Sequence, residues 1–353
     1  MATCEVLIIG GGISGLLTAR ELARTGAEVT LLERQAIGRE SSWAGGGILS
    51  PLSPWDMPDA ITALCRWSQA AYPVLAKELI ENTGIDPELE PGGLLVKNYG
   101  QIKQALSWCA LNNVAHECIT LGDADQSSAL YLPDIAHIRN PRLLKALRAE
   151  LERHNNVTLL EQHTVSSAVI KRDRVQSLIT EQGEFTADKI ILTVGAWTST
   201  VGVSFQTELP VEPVKGQMIV FAAVPGLLRP ILLSDGKYLI PRRDGHILVG
   251  STLEHTGFNK ETTEQAYQEL SGFAHTQLPA LRDYPVAKHW AGLRPGSPQG
   301  IPYIGAHPRL HNLYINCGHY RNGLVMAPAS ARLLADTVLG RPGIIDAAPY
   351  QIP

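Results

Sequence analysis

Six consecutive residues near the N-terminus constrain this chain more than any others. Gly10-Gly11-Gly12-Ile13-Ser14-Gly15 supplies G-x-G-x-x-G between the aliphatic run Val6 to Ile9 and a segment, Ile13 to Thr25, in which Leu16, Leu17, Leu22 and Ala23 recur at helical spacing. A continuous β-branched and aliphatic run predicts a strand buried on both faces. Gly26 stands where a helix C-cap is expected, and Val29 to Leu32 reads as a second strand. In this βαβ context the glycines become a dinucleotide grip. Gly10 permits the tight turn, Gly12 lets the backbone approach a pyrophosphate, and Gly15 lets helix and strand pack closely. Unpaired N–H groups of the first helical turn then face the phosphates. Glu33, ending the second strand, suits the adenosine ribose hydroxyls and would repel the 2′-phosphate of NADP. A glycine turn in an α/β fold that holds no cofactor is the bland alternative.

With 353 residues the chain exceeds the roughly 250–300 at which single cores stop growing, so two domains are expected. The 30 Lys+Arg against 34 Asp+Glu, a net charge of -4, give no basic face for nucleic acid. Cys4, Cys65, Cys109, Cys118 and Cys317 form an odd, scattered set without a CxxC pair, unlike a disulfide framework or a metal site. A reducing cytoplasm fits them. The N-terminus runs straight into a strand without a secretory leader, and the apolar runs are too short to span a bilayer.

Farther along, Asn140-Pro141 resembles an N-cap followed by proline at the first helical position, opening a helix through Leu144, Leu147 and Leu151. A strand at Val157 to Leu160 follows, and Lys189 to Val194 leads into a glycine turn with Trp197. In contrast, Gly216 to Phe221, Tyr238 to Pro241 and His246 to Gly250 are short strands joined by turn residues, as in an antiparallel sheet. Asn312 to Leu339 reads as strand, glycine loop and helix that rejoin the first unit. The stretch Gly38 to Gly47, containing Ser41, Ser42 and the triple glycine Gly45-Gly46-Gly47, separates FAD from NAD. It puts hydroxyls and bare backbone where a long cofactor would continue from its pyrophosphate to a second ring; a solvated loop is the alternative.

With that stretch the sequence resembles the D-amino-acid oxidase superfamily, most closely the glycine oxidases of thiamine biosynthesis. The resemblance spans nearly the whole chain and rests on GGGISG, RESSWAGGGILSP (39 to 51), PVKGQM (213 to 218), YLIPRRDGHILVGST (238 to 252), WAGLRPGSPQGIPYIG (290 to 305) and CGHYRNGLVMAPA (317 to 329). It implies a mixed α/β fold: a discontinuous, Rossmann-like FAD-binding domain (1–84, 142–207 and 286–353) and a mainly antiparallel-sheet substrate domain (85–141 and 208–285). It assigns Ile13, Ser14, Glu33, Arg34, Ser41, Ser42 and Gly45 to Gly47 to FAD, with the Val165 backbone at the adenine and Gly195 near the pyrophosphate. Gly318, His319, Tyr320, Arg321, Asn322, Gly323, Leu324 and Val325 would offer backbone amides to the flavin's pyrimidine end. The cysteine that anchors flavin in related sarcosine oxidases is missing between His289 and Pro298, so the FAD is expected to be non-covalent.

An amino-acid substrate needs its carboxylate fixed, and the planar fork of arginine suits this. The resemblance points to Arg294, with Tyr238 donating to the same carboxylate and Arg321 nearby. Ile48 and the Gly45 to Gly47 backbone would border the pocket, favouring glycine and small N-substituted glycines. No acid or base residue is assigned, because hydride leaves Cα of the neutral amine unaided; His246, His289 and His319 are left without that role, and Arg242-Arg243 are read as structural or solvated. The activity implied is oxidative deamination of glycine with O2 as acceptor, in a homo-oligomer, a tetramer by resemblance. A sarcosine or D-amino-acid oxidase, a quinone-linked dehydrogenase and a non-catalytic flavin-holding module remain as alternatives.

Overall fold

The computed structural model describes residues 2–97, 102–121 and 127–353; the expectations for 98–101 and 122–126, within the second unit, lie outside the described residues. β1 (Ala2–Ile9), α1 (Ile13–Ala23) and β2 (Val29–Leu32) form the first βαβ unit. Val6 and Ile8 pack into a core on one face of the sheet, Leu7 and Ile9 into a core on the other, as a strand covered on both sides requires. α1 is capped by Arg24 rather than Gly26, whose φ of +91° turns the chain two residues later.

The chain continues through α2 (Ser41–Ala44) and α3 (Asp59–Thr83) to β3 (Leu94–Val96), α4 (Ile102–Leu111), β4 (Glu117–Leu121) and β5 (Ser127–Leu132). It returns by α5 (Asn140–Leu151) to β6 (Val157–Leu160), β7 (Val165–Lys171), β8 (Arg174–Thr180) and β9 (Gly183–Leu192). After α6 (Thr198–Gly202) come β10 (Glu212–Phe221), β11 (Ile231–Ser234), β12 (Lys237–Pro241), β13 (Ile247–Gly250), α7 (Glu264–Gln277) and β14 (Val286–Gly296). β15 (Tyr303–Ala306), β16 (Leu313–Cys317) and α8 (Gly323–Val338) close the chain's path.

Two sheets result. The first runs β15-β16-β9-β1-β2-β6, with β8 on β9 and β7 on β8; β16, β9, β1, β2 and β6 are mutually parallel. The second runs β14-β10-β13-β12-β11-β3-β5-β4 and is antiparallel except at β11 and β3. One expectation changes here. β14, expected in the first unit, pairs with β10 from Glu212↔Gly296 to Phe221↔Val286 and so lies in the second sheet.

Asn140 is the second correction. It is the first helical residue of α5 and Arg139 takes the cap; the Asn140 side chain instead donates from Nδ2 to the Ser42 carbonyl at 2.9 Å. This side chain thus ties α5 to α2, which carries the two serines.

Candidate active site

In open parallel sheets the crevice lies beyond the carboxyl ends of the strands. Here the registers Ile9↔Leu32, Ile9↔Leu192 and Ile315↔Leu192 bring the ends of β2, β1, β9 and β16 to one level. At the usual spacing of about 4.8 Å they span ~14 Å. A cavity of about 410 Å³ opens there, roofed by the second sheet.

At the first strand end, Gly10 has a φ of +110°, and a Cβ would stand 2.5 Å from the Thr193 carbonyl oxygen. Thr193 Oγ1 donates to Gly10 O at 2.8 Å, fixing the turn. A Cβ on Gly12 would meet only Ser42 Oγ, at 3.2 Å, so its backbone is bare on the cleft side. Ile13 N donates to Ser42 Oγ at 3.0 Å. Glu33 is held by the amides of Gly11 (2.8 Å) and Gln35 (3.0 Å). The Arg34 guanidinium lies 3.6 Å over the Trp197 ring and pairs with Glu40 at 2.8 Å. Bare glycine backbone at a helix N-terminus, a fixed carboxylate one strand away and an elongated crevice fit an adenine dinucleotide that continues to a second ring.

Of the expected residues, Gly10, Gly12, Ile13, Ser14, Glu33, Arg34, Ser41, Ser42, Gly45 to Ile48, Val165, Gly195, Tyr238, Arg294 and His319 to Val325 all line this one cavity. Gly15 and Gly318 do not. Gly15 serves packing, since a Cβ there would come within 1.9 Å of Gly10 O. Gly318 has a φ of +79°, and a Cβ there would meet Ser297, Tyr303 and Val211, so it turns the chain out of β16 at the edge of the cavity. The residues beyond it present the N-terminus of α8, a favourable place for developing negative charge. Cys317 also lines the cavity, but burial pushes its thiol up to about 12. It is protonated at neutral pH and a poor nucleophile.

The opposite wall comes from the second sheet, and strand alternation explains which side chains form it. Met218, Tyr238 and Ile240 lie on the cleft-side core, whereas Ile219, Leu239 and Val249 pack on the far face against α7. Val214↔Arg294, Gly216↔Gly292 and Met218↔Trp290 are opposed pairs, so Arg294 and Gly216 share the face that looks onto the cleft. The Arg294 guanidinium donates from Nη2 to Ser251 Oγ at 2.6 Å, and from Nη1 to the carbonyls of Lys215 and Thr252, both at 3.3 Å. Burial is the largest influence and pulls it below its ordinary value; Tyr238 opposes this and Arg321 adds to it. Among the described residues no carboxylate pairs with Arg294, nor with the exposed Arg321. A half-buried cation without an acid, beside a phenol hydroxyl, has the chemistry to accept a carboxylate.

His246 and His289 do not reach the cavity; His319 does, and burial lowers it to about 4, so it is neutral there. Arg242 is buried, donating to Gly46 O at 2.7 Å and to Ile138 O at 3.1 Å, and so braces the triple glycine. Ser251, Gly216, Thr193, Trp197 and Asn316 were not singled out from the sequence. Gly216 and Ser251 stand inside motifs already quoted, and a glycine in mid-strand was a usable signal of close approach.

Behind Arg294, Lys215 Nζ pairs with Glu254 at 2.8 Å, and Glu254 also accepts from Thr252 and Gln217. Burial opposes its charge, but these donors win and hold the carboxyl below its ordinary 4.5. A depressed carboxylate contributes stability that is present above the unfolded value and lost as pH falls through the folded one. Thermal stability is therefore expected to drop below about pH 4.5, and Glu254→Gln to flatten that drop. Melting curves from pH 7 to 3 that are parallel for the two proteins would contradict this.

Residues 5–337 match the family model described as FAD dependent oxidoreductase, DAO. A glycine oxidase of Pseudomonas aeruginosa is 49% identical over 98% of this chain and 98% of its own length. A bifunctional protein ThiO/ThiG of Synechocystis is 33% identical over 96% of this chain and 52% of that protein. Among solved structures, glycine oxidase from Geobacillus kaustophilus superposes with a TM-score of 0.93 at 27% identity, covering 100% of this chain and 99% of the other.

Proposed function

The chain belongs to the FAD-dependent oxidoreductases of the DAO family, and on that premise we propose that it is a glycine oxidase. Glycine, O2 and water give glyoxylate, ammonia and hydrogen peroxide, with sarcosine and D-alanine as smaller-rate substrates. Bound FAD supplies the hydride acceptor and passes the electrons to oxygen. The observation that carries the reading is the half-buried guanidinium of Arg294, without an acidic partner among the described residues, opening onto the FAD cleft.

Arg294 takes both carboxylate oxygens of the substrate, and Tyr238 donates its hydroxyl to one of them. Anchored there, the substrate's Cα would face the cavity wall formed by residues 319–325. Ile48 and the bare backbone of Gly46 and Gly47 leave room for hydrogen or a methyl group at Cα, which favours glycine. The backbone amides at the start of α8 stabilise negative charge that develops beside them. FAD is held without a covalent bond, in keeping with the lack of a cysteine between His289 and Pro298. The resemblance to ThiO-type proteins supports supply of thiamine thiazole synthesis, in a cytoplasmic homo-oligomer. Among the described residues no helix is long and apolar enough to cross a membrane.

Anaerobic addition of glycine to the FAD-loaded protein is expected to bleach the flavin absorbance, faster than sarcosine or D-alanine, with peroxide formed once air is admitted. Absence of bleaching with all three amines rejects the proposal; bleaching with slow reoxidation in air favours a dehydrogenase instead.

A further inference from the structure

Asn316 sits in the otherwise apolar strand Leu313–Cys317 and is 1% exposed. Neither its amide nitrogen nor its amide oxygen has a hydrogen-bond partner among the described residues, and the side chain lines the FAD cleft. Buried primary amides are ordinarily satisfied at both ends, so two orphan atoms on one side chain mark a missing ligand. His319 Nε2, on the loop that follows, is likewise buried and unpartnered.

The registers that align the strand ends put Glu33, Gly10, Thr193 and Asn316 in one row across β2, β1, β9 and β16. With the ribose expected at Glu33 and the pyrophosphate at the glycines, Asn316 lies two strand spacings, about 10 Å, beyond the pyrophosphate. Phosphate oxygens only accept hydrogen bonds and would face the Asn316 oxygen unfavourably. The sugar-alcohol chain that joins pyrophosphate to flavin carries hydroxyls, each of which both donates and accepts. We infer that Asn316 is a side-chain ligand of the ribityl chain of FAD, using both ends of its amide.

The test compares Asn316→Leu, near in shape but without polar atoms, with the parent. Apoprotein is titrated with FAD and separately with ADP, followed by tryptophan fluorescence, and the thermal unfolding of the apoprotein is recorded. The FAD dissociation constant is expected to rise by about 10-fold or more, with ADP affinity unchanged. The apoprotein should melt at the same or a higher temperature, because an unsatisfied buried amide has been removed. An unchanged FAD constant, as when water satisfies the amide, overturns the inference. So does an equal loss for FAD and ADP, which moves the contact to the adenosine half. Apoproteins of both Asn316→Leu and Asn316→Ala melting several degrees lower would make the residue structural and overturn it as well.

Discussion

Arg294→Ala is expected to lower kcat/KM for glycine by a factor of about 30 to several thousand, the equivalent of ~2–5 kcal/mol for truncating a charge partner that the ligand would desolvate. FAD should stay bound and the fold should persist. The contrast with Arg20 shows why. Arg20, 4% exposed, bonds Glu150 at 2.5 Å and Glu78 at 2.6 Å, so its loss would strand a buried carboxylate and cost about 3–5 kcal/mol of stability. Arg294 has hydroxyl and carbonyl acceptors only, which water can satisfy in its place. Among the described residues its charge has no acidic partner, which leaves it available to a ligand carboxylate. Arg294→Lys should recover little, because a single ammonium cannot grip two oxygens in one plane. Rapid-reaction measurement of flavin bleaching separates the effects: weaker saturation reports the lost carboxylate contact, and a slower limiting rate reports misalignment of Cα. A variant with parental rate and saturation would remove Arg294 from the site.

The cofactor half of this protein is local in sequence and was legible for that reason. Strand, glycines, helix and Glu33 lie within one βαβ unit, where period and turn chemistry alone set the geometry. The exceptions are instructive. Gly318 belongs to the same motif as the cleft residues after it, but whether a glycine faces a ligand or makes a turn depends on its φ and on Ser297 and Val211, far away in sequence or on another element. Asn140 carries a good capping signal, yet packing of α5 against α2 recruits its amide for Ser42. β14 reads as a continuation of the chain's return to the first unit, and only long-range pairing with β10 places it in the second sheet. Arg294 is indicated by resemblance rather than by its own neighbours, and Ser251 and Gly216 carry no local signal that joins them to it, because this cavity wall is assembled from segments that approach one another only when the sheet forms.

Gly216→Ala tests that assembly without touching a polar group. A Cβ at Gly216 would stand 2.2 Å from Arg294 Nη2 and 2.3 Å from Nη1, closer than any real contact. The obstacle is the far end of a flexible side chain rather than backbone, so the sheet can keep its register while the guanidinium swings aside. Stability should therefore change little, within ~1 kcal/mol, and FAD should bind as before. Activity should not survive in proportion. A displacement of the carboxylate anchor by about 1 Å can cost on the order of 100-fold, and here the anchor must also give up its bonds to Ser251 Oγ and two carbonyls. A fall of about 100-fold in kcat/KM for glycine, with an unchanged melting temperature and flavin spectrum, is the expected result. It would set this substitution beside Arg294→Ala in effect although the arginine itself is intact. Combining the two changes should add almost nothing to either alone, since both act through one guanidinium. Additive losses in the double variant would mean that Gly216 contributes by another route.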